Sequence, residues 1–243
     1  MRIHVVNPNT TAGMTKSIAA AARAIAMPGT DIIAVNPEHG PVSIEGYYDE
    51  AFSVPGLLAE IRKAETDKVD AHIIACFDDT GLEAARSIAA QPVIGIGEAA
   101  FHFAAMLGHR FSVVTTLSRS IAAIETNLVK YGLMARCARV RASDVPVLEL
   151  DDPKSDASSR ISAEIERAKS EDLAEVIVLG CAGMASLAAR LSQQHGLPVV
   201  DGVGAAVTIA EGLVRVGLRT SKVNSYASPR PKSYSGIFAA DAP

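Results

Sequence analysis

Cysteine is the most reactive side chain in this sequence, and two of its three cysteines share one local setting. Cys76 closes the apolar run Ala71-His72-Ile73-Ile74-Ala75, and Cys181 closes Val176-Ile177-Val178-Leu179-Gly180. Both runs read as buried strands, each followed by a turn and an amphipathic stretch that reads as a helix. A thiolate at a helix start is favoured by backbone N–H groups and the helix dipole. A free thiol ionises near ~8.5, so a modest downward shift would make it a base near neutral pH. The neighbouring Asp78 and Asp79 act the other way, since a carboxylate disfavours a thiolate. Two such thiols facing each other across a cleft suit one reaction. One thiolate removes a proton from a carbon acid and the other thiol returns a proton to the opposite face. The result is inversion of a stereocentre beside a carbonyl, with no cofactor and no metal. Backbone N–H groups at Phe77-Asp78 and Ala182-Gly183 are the candidate donors to the developing enolate.

A lone strand-end cysteine usually belongs to a core, so the case rests on the pair. The two halves of the chain repeat at a near-constant offset. Cys76 and Cys181 are 105 residues apart, Pro92 and Pro198 106, Gly97 and Gly204 107, and Val6 and Val114 108. Cys137 has Ile32 as its counterpart and reads as structural. Within each half the pattern predicts strands alternating with helices. The first half has strands at Ile3–Val6, Asp31–Val35, 71–76 and Pro92–Ile96, with helices near 12–27, 49–66 and 80–90. The second has strands at 111–114, 135–140, 176–181 and 198–201, with helices near 117–131, 155–172 and 183–195. Polar loops fall at 36–48 and through Asp144 to 151–153. Two copies of about 100 residues are too few and too long for a solenoid. The reading is an α/β fold of two pseudo-symmetric lobes, each a mainly parallel four-stranded sheet flanked by helices. The lobes comprise residues 1–97 plus about 209–243, and 98–208. Ligands of such sheets bind at the carboxyl ends of the strands. Both cysteines and the turns Asn9-Thr10 and Thr115-Thr116 fall there, which predicts a single site in the cleft between lobes. A helix near 203–216 and a Ser/Pro-rich extended tail from Asn224 are expected to return to the first lobe.

Composition narrows the role. At 243 residues and 49% hydrophobic, the chain can bury a sizeable core. A net charge of −4 with no Lys/Arg cluster disfavours nucleic acid and membrane surfaces as partners. The apolar runs are too short to span a bilayer. The start Met1-Arg2-Ile3-His4-Val5-Val6 reads as a strand rather than a signal peptide. An odd number of cysteines in so long a chain argues for reduced thiols in a cytoplasmic setting. The six histidines have no ligand spacing beside the cysteines, so no metal is expected.

Five stretches carry a resemblance to a known family. They are Val5-Val6-Asn7-Pro8-Asn9-Thr10-Thr11, Ala75-Cys76-Phe77-Asp78-Asp79-Thr80-Gly81-Leu82, Pro92-Val93-Ile94-Gly95-Ile96-Gly97-Glu98-Ala99, Val113-Val114-Thr115-Thr116 and Gly180-Cys181-Ala182-Gly183-Met184. In order and spacing the chain resembles the aspartate/glutamate/hydantoin racemase superfamily over about Ile3 to Ala206, and within it the hydantoin and allantoin racemase branch. The resemblance implies two pseudo-symmetric α/β lobes, a cofactor-independent two-base mechanism with Cys76 and Cys181 as the acid/base pair, and a homo-oligomer. It implies a small-molecule substrate, a 5-monosubstituted hydantoin or allantoin, whose D and L forms are interconverted at C5. Glutamate racemases usually follow the first cysteine with Asn-Thr and the second with Thr-His. Phe77-Asp78 and Ala182-Gly183 stand here instead, which tilts the expectation from amino acids toward a nearly neutral ring. An amino-acid racemase and a non-catalytic two-lobed binding protein are the alternatives.

The binding residues are read more openly. Asn9, Thr10, Thr115 and Thr116 serve either as turn and N-cap residues or as substrate contacts. Val42 and Tyr47, in the long first-lobe loop, either touch the C5 substituent or pack. Asp78 either orients the ring or is a helix-start acid. Phe77, Ala182 and Gly183 complete the set. Gly95-Ile96-Gly97-Glu98-Ala99-Ala100 matches a dinucleotide-binding pattern in outline. The acid expected about twenty residues on is replaced by Thr115-Thr116-Leu117-Ser118. Tight strand–helix packing, repeated at Gly202-Val203-Gly204, is the reading preferred for these glycines.

Overall fold

The computed structural model describes residues 1–152 and 154–243. In chain order the elements are β1 (Arg2–Val6), α1 (Ala12–Ile25), β2 (Asp31–Val35), α2 (Tyr47–Thr66), β3 (Ala71–Ile74), α3 (Leu82–Ile88), β4 (Val93–Gly95) and α4 (Ile96–Leu107). They continue with β5 (Phe111–Thr115), α5 (Ile121–Lys130), β6 (Cys137–Ala142), α6 (Ala157–Glu171), β7 (Val176–Gly180), α7 (Ala188–His195), β8 (Val199–Asp201) and α8 (Gly202–Arg215). The strands form two four-stranded sheets with orders β2-β1-β3-β4 and β6-β5-β7-β8, every pairing parallel. The identical order is the three-dimensional form of the repeat. Residue 153, in the expected polar loop at 151–153, lies outside the described residues.

Buried residues recur at helical spacing on each covering helix. In α1 they are Met14, Ile18 and Ala22, and in α6 Ala157, Ile161, Ile165 and Ala168. Three apolar clusters result. The largest runs between the two sheets and joins Ile3, Val5, Phe101, Phe111, Val178 and Val203, so α1, α4 and α8 are shared cover for both lobes. Leu57, Ile61 and Leu82 cover the outer face of the first sheet. Ile161, Ile165 and Leu191 cover that of the second. Both faces of each sheet are therefore dry, which is why the strands read as continuous apolar runs.

Some boundaries move for physical reasons. β3 stops at Ile74, two residues before Cys76; Ala75 N still bonds to Val6 O, and the chain then turns as Asp79 N bonds back to Cys76 O. α2 begins at Tyr47, two residues early, and α3 begins only at Leu82 behind a left-handed Gly81 (φ 70°). After Cys181 the chain forms a 3-10 turn, Ala182–Leu187, before α7. The tail returns to the first lobe. Thr220 Oγ1 donates to Gln91 O (2.7 Å), Lys222 Nζ to Arg86 O (2.6 Å), and Asp241 O accepts from Arg62 Nη2 (2.9 Å). Among the described residues no helix is long and apolar enough to cross a membrane.

The first sheet also buries a polar chain. His4 Nδ1 meets His72 Nδ1 at 3.1 Å, and His72 Nε2 meets Glu65 Oε1 at 2.7 Å. Burial, then His72 and Lys63, hold His4 from its ordinary 6.5 down to about 3. His4 is thus neutral when folded, while the unfolded chain takes up a proton below 6.5. The stability this group supports is complete above pH 6.5 and is lost as pH falls toward 3, at up to about 1.4 kcal/mol per pH unit. Urea unfolding of wild type and His4→Gln between about pH 7 and pH 4 checks this. The wild-type slope should exceed the variant's by about one proton; equal slopes would remove His4 from the acid response.

Candidate active site

The topology brings the carboxyl ends of β1, β3, β5 and β7 together. In each sheet the order reverses between the first and third strands, which leaves a crevice at that point. A cavity of about 40 Å³ lies there. Cys76, Cys181, Asn9, Phe77, Asp78, Thr115, Thr116 and Ala182 all line it. The two cysteines sit in matched turns. Cys76 O accepts from Asp79 N and Cys181 O from Met184 N, both at 3.0 Å. The sulfurs are close enough that Cys181 contributes to the electrostatics of Cys76.

Other expected residues fall just outside. Thr10 is half-buried and spends its backbone N–H (3.0 Å) and hydroxyl (3.3 Å) on Pro41 O. Val42, in the loop before α2, and Tyr47, the first residue of α2, are 59% and 62% exposed. Gly183 is not among the lining residues, and an added Cβ there would stand 2.9 Å from Leu150 and 3.8 Å from Cys181 Sγ. Cys137 opens β6 away from the cavity, packed at the edge of the central core, and burial pushes its thiol up to about 12.

The expected helix-dipole assistance to Cys76 is absent in the form foreseen. Five residues separate it from α3, a helix of only seven residues. The Asp78 backbone N–H does favour the Cys76 thiolate, and the Thr80 hydroxyl donates to the sulfur at 3.4 Å. Burial, and after it the Asp78 charge, outweigh them and raise the thiol well above its ordinary value. The opposing influences foreseen from the sequence are thereby resolved against the thiolate.

The turn after Cys76 is held by Asp79, in a left-handed conformation (φ 51°). Its carboxylate accepts from Gly97 N (2.9 Å), Glu98 N (2.8 Å) and Tyr131 OH (2.7 Å). It therefore caps the first turn of α4. The glycines of the dinucleotide-like pattern make room for it. A Cβ on Gly95 would stand 2.1 Å from Asp79 Oδ1, and one on Gly97 2.3 Å from Phe77 O. Gly202 is packed in the same manner, 2.4 Å from Ile96 O for an added Cβ. Close packing rather than phosphate binding accounts for both patterns. Gly180 likewise lies under Thr115, whose Oγ1 donates to Gly180 O at 3.1 Å.

Reasoning from the sequence missed Asn7, Met14, Ser120, Ile44 and Val147, which also line the cavity. Asn7 is buried and donates from Nδ2 to Asn9 Oδ1 (2.9 Å), and Asn9 Oδ1 accepts from Thr11 N (2.9 Å), so the two asparagines shape the turn after β1. Ile44 and Val147 are the lids. Each is buried but has apolar neighbours in sequence, Val42 for Ile44 and Val145, Leu148 and Leu150 for Val147, so the sequence did not single it out. The two lid segments touch, since Glu45 Oε1 accepts from Val147 N at 3.2 Å. The space of about 40 Å³ is small beside a ring-sized ligand. No Lys or Arg is among the lining residues. Among the described residues no group of three His, Cys, Asp or Glu side chains is arranged to hold a metal ion.

A sequence model of the family described as Asp/Glu/Hydantoin racemase matches residues 3–210. A curated hydantoin racemase from Rhizobium meliloti is 52% identical over 236 residues, covering 97% of this chain and 98% of that protein. Another, from Pseudomonas sp. (strain NS671), is 46% identical over 238 residues, covering 98% and 96%. Among solved structures, the allantoin racemase from Klebsiella pneumoniae superposes with a TM-score of 0.97 at 49% identity, covering 100% of this chain and 99% of that one.

The Glu45–Val147 bond yields a test that needs no ligand. Glu45→Ala leaves the Val147 amide without its acceptor, and the lids open more often. That amide should exchange hydrogen about ten-fold faster, a change of ~1.4 kcal/mol. Unchanged protection at Val147 would mean that the carboxylate does not hold the lids.

Proposed function

The chain belongs to the Asp/Glu/hydantoin racemase family and is a racemase, and on that premise we propose that it interconverts D- and L-5-monosubstituted hydantoins by proton exchange at C5 between Cys76 and Cys181. The observation that carries this reading is the pair of cysteines in matched turns on one cavity. The C5 carbon is acidified by its neighbouring carbonyl. One sulfur, as thiolate, takes the C5 proton from one face, and the opposite thiol delivers a proton to the other. The roles reverse for the other enantiomer, and no cofactor takes part. The planar intermediate lies between the lobes, with Asn9, Thr115 and Thr116 toward its polar edge and Phe77 and Ala182 beside the sulfurs. Val42, Tyr47 and Thr10 bear on a C5 substituent only when the lids move, and Gly183 acts through its backbone. The working halves are residues 1–97 with about 209–243, and 98–208. Several copies of the chain assemble, in the cytoplasm.

The absence of a cation among the lining residues supports a nearly neutral ring over an α-amino acid, whose carboxylate would need a charged partner. Allantoin, a hydantoin with a ureido group at C5, is the second reading. The 49% identity to a solved allantoin racemase favours it specifically.

In deuterated water an enantiopure hydantoin should lose optical rotation while deuterium enters C5. Cys76→Ala and Cys181→Ala should each slow racemisation at least about 100-fold. Each variant should still exchange the C5 proton of one enantiomer without inverting it, and the two variants should favour opposite enantiomers. Racemisation at the wild-type rate in either variant would end the two-cysteine assignment. A panel of hydantoins with aliphatic, aromatic and ureido groups separates the two substrate readings.

A further inference from the structure

Beside Cys76 lies an arrangement that a two-thiol mechanism leaves unused. Glu50 stands in the first turn of α2, directly after the lid segment. Its Oε1 is buried and has no hydrogen-bond donor among the described residues. The group it meets is the Asp78 carboxyl, which lines the cavity next to Cys76. Ionised carboxylates are acceptors only, so two of them in contact, one through a buried oxygen, need a proton between them.

Among the described residues the surrounding groups do not supply another donor. Asp79, on the far side of Asp78, is occupied by Gly97 N, Glu98 N and Tyr131 OH. From α5, Asn127 donates to the backbone oxygen of Asp78 at 2.8 Å, not to its carboxyl. Asp49 on α2 accepts from Glu45 N. Arg119, from the second lobe, packs on Gly46 at the α2 start, with its Nε 3.3 Å from where a Cβ would lie. Cys76 and Cys181 line the same cavity as Asp78.

We propose that Glu50 and Asp78 share one proton, and that Glu50 is a positioning residue that keeps Asp78 uncharged beside Cys76. This rests on Cys76 serving as a base. Burial raises both carboxyls, and together with the Glu50 charge it brings Asp78 to about 7. While the proton is held, the Asp78 charge no longer opposes the Cys76 thiolate. Once it leaves, Asp78 becomes the second-largest influence raising that thiol. Gly183 stands where Asp78 would be in the other half, so the pair acts on one thiol of the two.

The test is the pH profile of Cys76 alkylation by iodoacetamide, followed by peptide mass analysis to separate it from Cys137 and Cys181. In wild type the logarithm of the rate should climb with pH, flatten around neutrality as Asp78 ionises, and climb again on a line about ten-fold lower. In Asp78→Asn the flattening should vanish. In Glu50→Gln it should move at least about one pH unit toward acid, because Asp78 then ionises without a neighbouring charge and beside an amide donor. A wild-type profile with no break, or a break that stays in place in Glu50→Gln, overturns the proposal. Alkylation needs no substrate, so inactivity toward every hydantoin would sink the functional reading and leave this result to stand or fall alone.

Discussion

The structure depends on one buried carboxylate. Asp79 accepts two backbone N–H bonds from the start of α4 and one from the Tyr131 hydroxyl beyond α5. A single side chain thus joins the turn after Cys76, the helix between the lobes and a helix of the second lobe. A carboxylate is buried at such a place only when its lone pairs are engaged. The glycines at 95 and 97 exist to let it approach. An aromatic run reinforces the same joint. Phe77 meets Phe101 edge-on at 5.3 Å, and Phe101 stacks on Phe111 of β5 at 6.1 Å. The position of one sulfur relative to the other is set by these contacts, not by the cysteines themselves.

That joint also explains the electrostatics of the cavity. A dry, continuous core between the sheets excludes water from beneath the site. Burial therefore dominates every shifted acid near Cys76 and pushes the carboxyls and the thiol toward their neutral forms. For proton abstraction a neutral resting thiol is a cost. It is also a safeguard, because a thiol held neutral is little oxidised. Opening of the lids to admit a ligand changes both.

Much of this was legible in the residues. Apolar runs, turn residues and the constant offset between halves are local signals, and they identify two parallel sheets and the strand ends that carry Cys76 and Cys181. The glycine pattern was discounted on its missing acid, a property of the chain alone, and the structure shows close packing at those glycines. What escaped depends on distant partners. Whether Cys76 stands at a helix start depends on how the five residues after it turn, and that depends on Asp79 reaching α4. Ile44 and Val147 become lids only because Glu45 binds a backbone more than a hundred positions away. Val42 and Tyr47 shared the loop with Ile44, and nothing in composition distinguished the residue that faces inward.

The two halves share a strand order but not a charge pattern. Asp78 adjoins the first cysteine, and Gly183 occupies the matching place after the second. For a racemase the two enantiomers have equal free energies in an achiral solvent, so the overall equilibrium constant is unity. The ratio of kcat to KM must then be identical in the two directions, however unequal the two acids are. The imbalance between the halves cannot make the catalyst prefer one hand. It can only divide the same specificity constant differently, as tighter binding with slower turnover for one enantiomer and the reverse for its mirror image.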